Sequence, residues 1–103
     1  MRLPEIVWTA KGEADLLFHY TQHEDRHKGL GDTFSDMVDG ALELLRAFPE
    51  MAPFYEAPFR RLLLDPRDLA LFFTIDGRRI VIHAIQSLRQ DPSWIRRGLG
   101  LPS

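Results

Sequence analysis

The 103-residue chain contains no cysteine. That removes disulfides, thiolate metal ligands and a cysteine nucleophile, and it makes the reducing cytoplasm the expected compartment. Long apolar runs are missing too. The start, MRLPEIVWTA, lacks the apolar stretch of about 7 to 15 residues that a secretion signal needs, and nothing approaches the roughly 20 residues of a membrane span. A soluble protein without a membrane partner is expected. An excess of basic charge is absent as well: 13 Lys and Arg face 15 Asp and Glu, for a net charge of −2 and a pI near 6.0. General nucleic-acid binders neutralise several phosphates with a basic surface, so this balance counts against that class. No phosphate-binding loop is present, since Gly29 and Gly31 lack both the following Gly and the preceding strand of a nucleotide fingerprint. Ser35, Ser87, Ser93 and Ser103 stand in no nucleophile motif. A metabolic enzyme is disfavoured, and no cofactor is expected.

What is present fits one domain over residues 1–103, with 45% hydrophobic and 27% charged residues. The charge is asymmetric. Residues 1–53 hold 5 Lys or Arg against 10 acids, and residues 54–103 hold 8 Arg against 5, so the halves carry −5 and +3.

LPEIVW at 3–8 reads as a first strand, with Pro4 suiting an edge. Thr9 caps a helix from residue 10 to the mid-twenties, and GLGD at 29–32 breaks it. A second helix is predicted from Thr33 to Phe48, with Thr33 and Asp36 as a capping box and Phe34, Met37, Val38, Ala41, Leu45 and Phe48 as its apolar stripe. EMAPFYEAP at 50–58 reads as an irregular connection or ragged edge. Strands follow at 59–64, 69–75 and 78–85. Asp65-Pro66-Arg67-Asp68 turns between the first two, Asp76-Gly77 between the last two, and Asp91-Pro92 opens a short helical tail. The order β-α-α-β-β-β predicts an α+β fold, a mostly antiparallel sheet with a helical hairpin on one face.

A two-residue turn at Asp76-Gly77 pairs Ile75 with Arg78, Phe73 with Ile80, Leu71 with Ile82 and Leu69 with Ala84 toward the helices. The other face then pairs Thr74 with Arg79, Phe72 with Val81 and Ala70 with His83, while a tight preceding turn sets Leu63 beside Ala70 and Arg61 beside Phe72. That face is largely apolar. Either a partner covers it, the reading preferred from the sequence, or the tail with Trp94, Ile95, Leu99 and Leu101 folds back over it.

IVWT at 6–9, EADLLFHY at 13–20, LLRAFP at 44–49, FRRLLL at 59–64, LFFTIDGRRIVIHAI at 71–85 and LRQDPSW at 88–94, in this order, resemble the RelE/ParE superfamily of type II toxin–antitoxin toxins. The resemblance covers about residues 5–95. It implies a RelE/ParE-like fold and a toxin neutralised by a cognate antitoxin, whose segment covers apolar grooves; Leu63, Phe72, Val81 and Phe18 are the candidate antitoxin contacts. Two target classes are implied. The RelE-like branch cleaves mRNA on the ribosome and needs cations and a proton-transfer group on the open sheet face. Here Ala70 stands where that branch carries an Arg, and Trp94, which has no titratable proton, stands near a Tyr or His position. Arg61, His83 and Arg89 are the residues left for that alternative. The ParE-like branch, which inhibits DNA gyrase by binding, is favoured, with Arg89, Trp94, Arg96 and Arg97 as target contacts. A degenerate member that binds antitoxin without toxicity, a homodimer and a toxin–antitoxin hetero-oligomer all stay open.

His19, His23 and His27 lie at i, i+4 and i+8 on the first helix. The outer pair is separated by about 12 Å of rise, so helix-surface histidines are the simpler reading and no metal site is expected. Glu13 with Asp15, and Asp36 with Asp39, read as solvated charges.

Overall fold

A computed structural model describes residues 3–65 and 68–102. Its elements run β1 (Glu5–Trp8), α1 (Ala10–Arg26), α2 (Leu30–Ala47), β2 (Phe54–Glu56), β3 (Phe59–Leu63), β4 (Leu69–Asp76), β5 (Arg79–Ser87) and α3 (Pro92–Gly98). The α+β class holds, and the segment expected as a ragged edge contributes the short strand β2. The five strands lie in the order β1-β5-β4-β3-β2. β1 runs parallel to β5, and the other neighbours are antiparallel.

Thr9 ends β1 and caps α1, its hydroxyl accepting from the Gly12 N–H at 3.0 Å. The second helix starts three residues earlier than its predicted capping box. Gly29 takes a left-handed φ of 95° as the N-cap, and the Glu24 carboxylate of α1 accepts from the N–H groups of Gly29 and Gly31, both at 3.0 Å. A side chain from the neighbouring helix thus caps α2 at Gly29 and Gly31, in place of the capping box expected at Thr33 and Asp36. The hairpin closes tightly here, because a Cβ on Gly31 would lie 2.8 Å from the Tyr20 ring.

Phe34, Val38 and Leu45 of α2 are buried against Leu71, Phe73, Ile80, Ile82 and Ile85 of the sheet. Phe48 does not join that stripe. It follows the last helical residue as the C-cap and is exposed, because the chain leaves helical geometry before its side chain can turn inward.

The β4–β5 register corrects the expected one. Asp76 pairs with Arg79, Ile75 with Ile80 and Phe73 with Ile82, so the turn residues are Gly77, at φ 59°, and Arg78. The expected pairing of Ile75 with Arg78 would have put a cation at the end of a buried apolar row; the observed one sets isoleucine against isoleucine. A bulge at Phe72/Phe73 then carries the strand past His83, so Phe72 pairs with Ala84 and Leu71 with Ile85. Ile85 thereby reaches the core that Ala84 was expected to enter. Ala70 meets Gln86 instead of His83. The β3–β4 pairs, Arg61 with Phe72 and Leu63 with Ala70, are those read from the sequence. Pro66 and Arg67 of the predicted turn lie outside the described residues.

The second sheet face is not left for a partner along its whole length. Ile95 and Leu99 of α3, with Leu101 beyond it, pack on Phe59, Ala70, Phe72 and Ala84, and all but the partly buried Leu101 are buried. Asp91 caps this short helix through the Ser93 N–H at 2.8 Å, with Pro92 in its first turn. The tail covers the middle of the face because it carries apolar residues at i and i+4 and β4 offers it alanine and phenylalanine.

Candidate functional site: the α3 surface and the cleft beside it

Of the three residues expected for nucleic-acid cleavage, Arg61 and His83 each contact a ring of one apolar cluster, and Arg89 stands apart from them. Arg61 lies on the α3 side of β3, its guanidinium 5.9 Å from the Tyr55 ring centroid. His83 sits in the β5 bulge, edge-on to Phe59 with ring centroids 5.1 Å apart, and its Nε2 lies 2.8 Å from the Thr74 hydroxyl. Arg89 lies past the end of β5, in a recess with Arg26, Gln22 and His23, where it pairs with Asp68 at 3.1 Å. It thus faces α1, while Arg61 and His83 lie on the α3 side of the sheet. The structure does not gather these three into one constellation.

The expected binding residues also divide. Phe72 is fully buried under α3, so it is not an available antitoxin contact in this conformation; the physical reason is the tail's own Ile95 and Leu99. Leu63 and Phe18 are more than half exposed, and Val81 is half-buried. Arg96 is half-buried and committed: its guanidinium forms an ion pair with Glu56 of β2, and its Nε–H donates to the Pro102 carbonyl at 2.6 Å. The first of these bonds holds the Arg96 pKa above its ordinary value. Arg96 therefore ties α3 to the sheet edge.

Trp94 and Arg97 face outward. Trp94 is 61% exposed, and the Arg97 guanidinium lies 4.7 Å from its ring centroid, a cation–π contact at the surface. With Phe18 and Lys11 of α1 they line a cleft of about 450 Å³ floored by Ile85 and Gln86 of β5. Gln86 is the buried polar residue of that floor, and Gly98 sits so close that a Cβ there would lie 2.0 Å from the Gln86 amide nitrogen.

The cleft wall on α1 contains a residue that sequence reasoning took for a solvated charge. Asp15 accepts from the Ile85 N–H at 3.0 Å and from Lys11 Nζ at 2.6 Å. The i,i+4 spacing of Lys11 and Asp15 was legible in the sequence, but the strand amide was not. His19 donates through Nε2 to the Ile85 carbonyl at 2.9 Å, and His23 donates through Nδ1 to the His19 carbonyl at 2.7 Å while stacking on Phe34. His27 is exposed and bonds the Lys28 carbonyl. These three rings therefore serve different partners.

His19 and His83 both have pKa values below the usual 6.5, in each case chiefly because burial disfavours the imidazolium; for His19 the Ile85 carbonyl and Asp15 oppose that shift. Between 6.5 and the lower folded value the unfolded chain binds more protons, so stability is complete above that window and falls as the pH drops through it. Urea unfolding should give a lower midpoint at about pH 5 than at about pH 7, with a smaller difference in His83→Gln. Equal pH dependence in the two proteins would contradict this assignment for His83.

The arrangement as a whole, a helical hairpin on one face of a five-stranded sheet and a short C-terminal helix on the other, is the RelE/ParE-like fold. Among solved structures the chain is similar to a chain of the chromosomal ParDE TA system from P. aeruginosa, with a TM-score of 0.72 and 19% identity over 84% of this chain and 98% of that one. It is also similar to a chain of the E. coli DinJ-YafQ toxin-antitoxin complex, with a TM-score of 0.56 and 13% identity over 84% of this chain and 93% of that one. At these identities the likeness concerns the fold. No family model and no curated protein matches the sequence.

Proposed function

We propose that the chain is the toxin of a type II toxin–antitoxin module, of ParE-like type, that acts in the cytoplasm by binding DNA gyrase and is neutralised by a cognate antitoxin. The observation that carries the reading is the α3 surface. Trp94 and Arg97 are presented to solvent on a helix whose inner face is locked to the sheet, which suits them as interface anchors. The fold likeness to a chain of a ParDE system supports the same branch. Arg89, in the neighbouring recess and paired with Asp68, is the remaining candidate target contact, and Phe18, Leu63 and Val81 are the accessible candidates for antitoxin contact. The separation of Arg89, beside α1, from Arg61 and His83 on the α3 side weighs against the mRNA-cleaving alternative.

The test is induction without antitoxin, followed by assays of gyrase supercoiling and of cellular mRNA integrity. Growth arrest with inhibited supercoiling is expected. Intact supercoiling together with cleaved mRNA would overturn the reading, and no arrest at all would point to a non-toxic member. Two substitutions sharpen it. A double change, Trp94→Ala with Arg97→Ala, should abolish gyrase inhibition with the melting temperature nearly unchanged, because both residues are exposed. Arg96→Ala should lower the melting temperature through loss of the Glu56 pair. A thermal effect from the first pair as large as that from Arg96→Ala would assign Trp94 to anchoring the tail.

A further inference from the structure

Gln86 is 7% exposed, yet its side-chain amide makes no hydrogen bond among the described residues. A buried amide without a partner is costly, and folded proteins seldom keep one that has no use. This one is not sealed in. Among the described residues no fully enclosed side-chain nitrogen or oxygen lacks a partner, so the Gln86 head group is open to the outside, and its opening is the cleft of about 450 Å³ that it floors with Ile85. Gly98 of α3 leaves room for the amide, since its nearest neighbour there is the amide nitrogen.

The lining of the cleft points to the class of ligand. Phe18 of α1 and Trp94 of α3 are 57% and 61% exposed, so both helices offer apolar surface to it. Lys11 and Arg97 line it against one carboxylate, Asp15, which Lys11 and the Ile85 N–H already engage. Arg97 holds only the Ser93 carbonyl and hydroxyl, both at 3.4 Å, longer than a well-formed hydrogen bond, so its guanidinium is available to an acid. Entry as a further strand is closed, because Asp15 and His19 occupy the N–H and the carbonyl of Ile85. Recognition therefore falls to side chains, and the donor and acceptor of the Gln86 amide match the C=O and N–H of a peptide group.

We infer that the cleft binds an extended acidic and apolar peptide segment of a partner protein. An apolar side chain of that segment packs against Phe18 and Trp94, its backbone meets the Gln86 amide, and a neighbouring carboxylate meets Arg97. Aromatic and arginine anchors beside a water-excluded polar contact have the character of an interface hot spot, and the carboxylate supplies the choice of partner. The chain as a whole carries −2, so the basic lining is local, which favours a single acidic side chain over a polyphosphate. This inference rests on the cleft and not on the toxin reading.

The test is two-dimensional NMR of the full chain, titrated with a capped hexapeptide of alternating leucine and glutamate. The side-chain amide signals of Gln86 and the indole N–H signal of Trp94 should both move. The matching peptide of leucine and glutamine should bind about tenfold more weakly, and Arg97→Gln should erase that preference. Gln86→Met, which keeps the shape of the side chain, should weaken the glutamate peptide about tenfold while leaving the melting temperature unchanged or raised, because no bond within the chain is lost. Unmoved Gln86 signals, or equal binding of the two peptides, would overturn the inference. So would a lowered melting temperature in Gln86→Met, since the amide would then serve the fold. Adenosine monophosphate moving the same signals where the peptide does not would overturn it in favour of a nucleotide site. If Gln86→Met does not fold, Gln86→Leu carries the same two readouts.

Discussion

Ile95→Ala is expected to lower the unfolding free energy by about 2–5 kcal/mol, the usual cost of emptying a buried isoleucine site. The residue contributes little to α3 as a helix. Its weight comes from lying, buried, in the cluster formed with Phe59, Ala70, Phe72, Ala84 and Leu99. The cavity has little means of collapsing, because the sheet side is held by pairing on both flanks of β4. Urea titration gives the stability. Binding of a dye specific for exposed apolar surface gives a second readout, since a loosened α3 would uncover Phe72. A loss below about 1 kcal/mol with no dye binding would mean that the tail is a weak cover, and Phe72 would return as an antitoxin contact.

Gly12→Ala should destabilise the protein by about 1–3 kcal/mol, although alanine is the better helix former. A Cβ at Gly12 would lie 2.6 Å from the Ile82 carbonyl oxygen and 3.3 Å from the Trp8 ring. The oxygen cannot rotate away as a side chain could, because it belongs to the strand against which α1 crosses and already accepts from the Thr9 N–H. Gly40→Ala is the matched control. That position is exposed, helical and free of neighbours within 4 Å of the new Cβ, so about 0.5–1 kcal/mol of stabilisation is expected. Opposite signs from one substitution at two helix positions separate packing from propensity. A stabilising Gly12→Ala would show that α1 does not approach β5 this closely.

Much of the scaffold was legible because local rules decide it. Thr9 capped the first helix as expected, since its hydroxyl needs only the Gly12 amide three residues on. The β3–β4 pairs were read correctly as well. The β4–β5 register was not, although Asp76-Gly77 is the stronger turn signal. Glycine can take its positive φ at either turn position, and what selected between registers was the removal of Arg78 from the isoleucine row, together with a bulge that no dipeptide announces. The start of α2 failed for a related reason: Glu24, on another helix, supplies the cap. At the candidate site, residue type and position singled out Trp94, Arg96 and Arg97 alike, and only the structure separates the exposed Trp94 and Arg97 from Arg96, which is held by Glu56 and the Pro102 carbonyl.

The sequence by itself determined the class of the fold, the helical hairpin, the apolar strands and the lack of cysteine thiols, because periodicity, capping and composition act over a few neighbours. Only the tertiary structure decided which face the tail covers and whether Phe72 is surface or core. It alone placed Asp15 on the edge of β5. Those outcomes depend on groups distant in the chain meeting at hydrogen-bond range, and Asp15 and Ile85, 70 residues apart, do so at 3.0 Å.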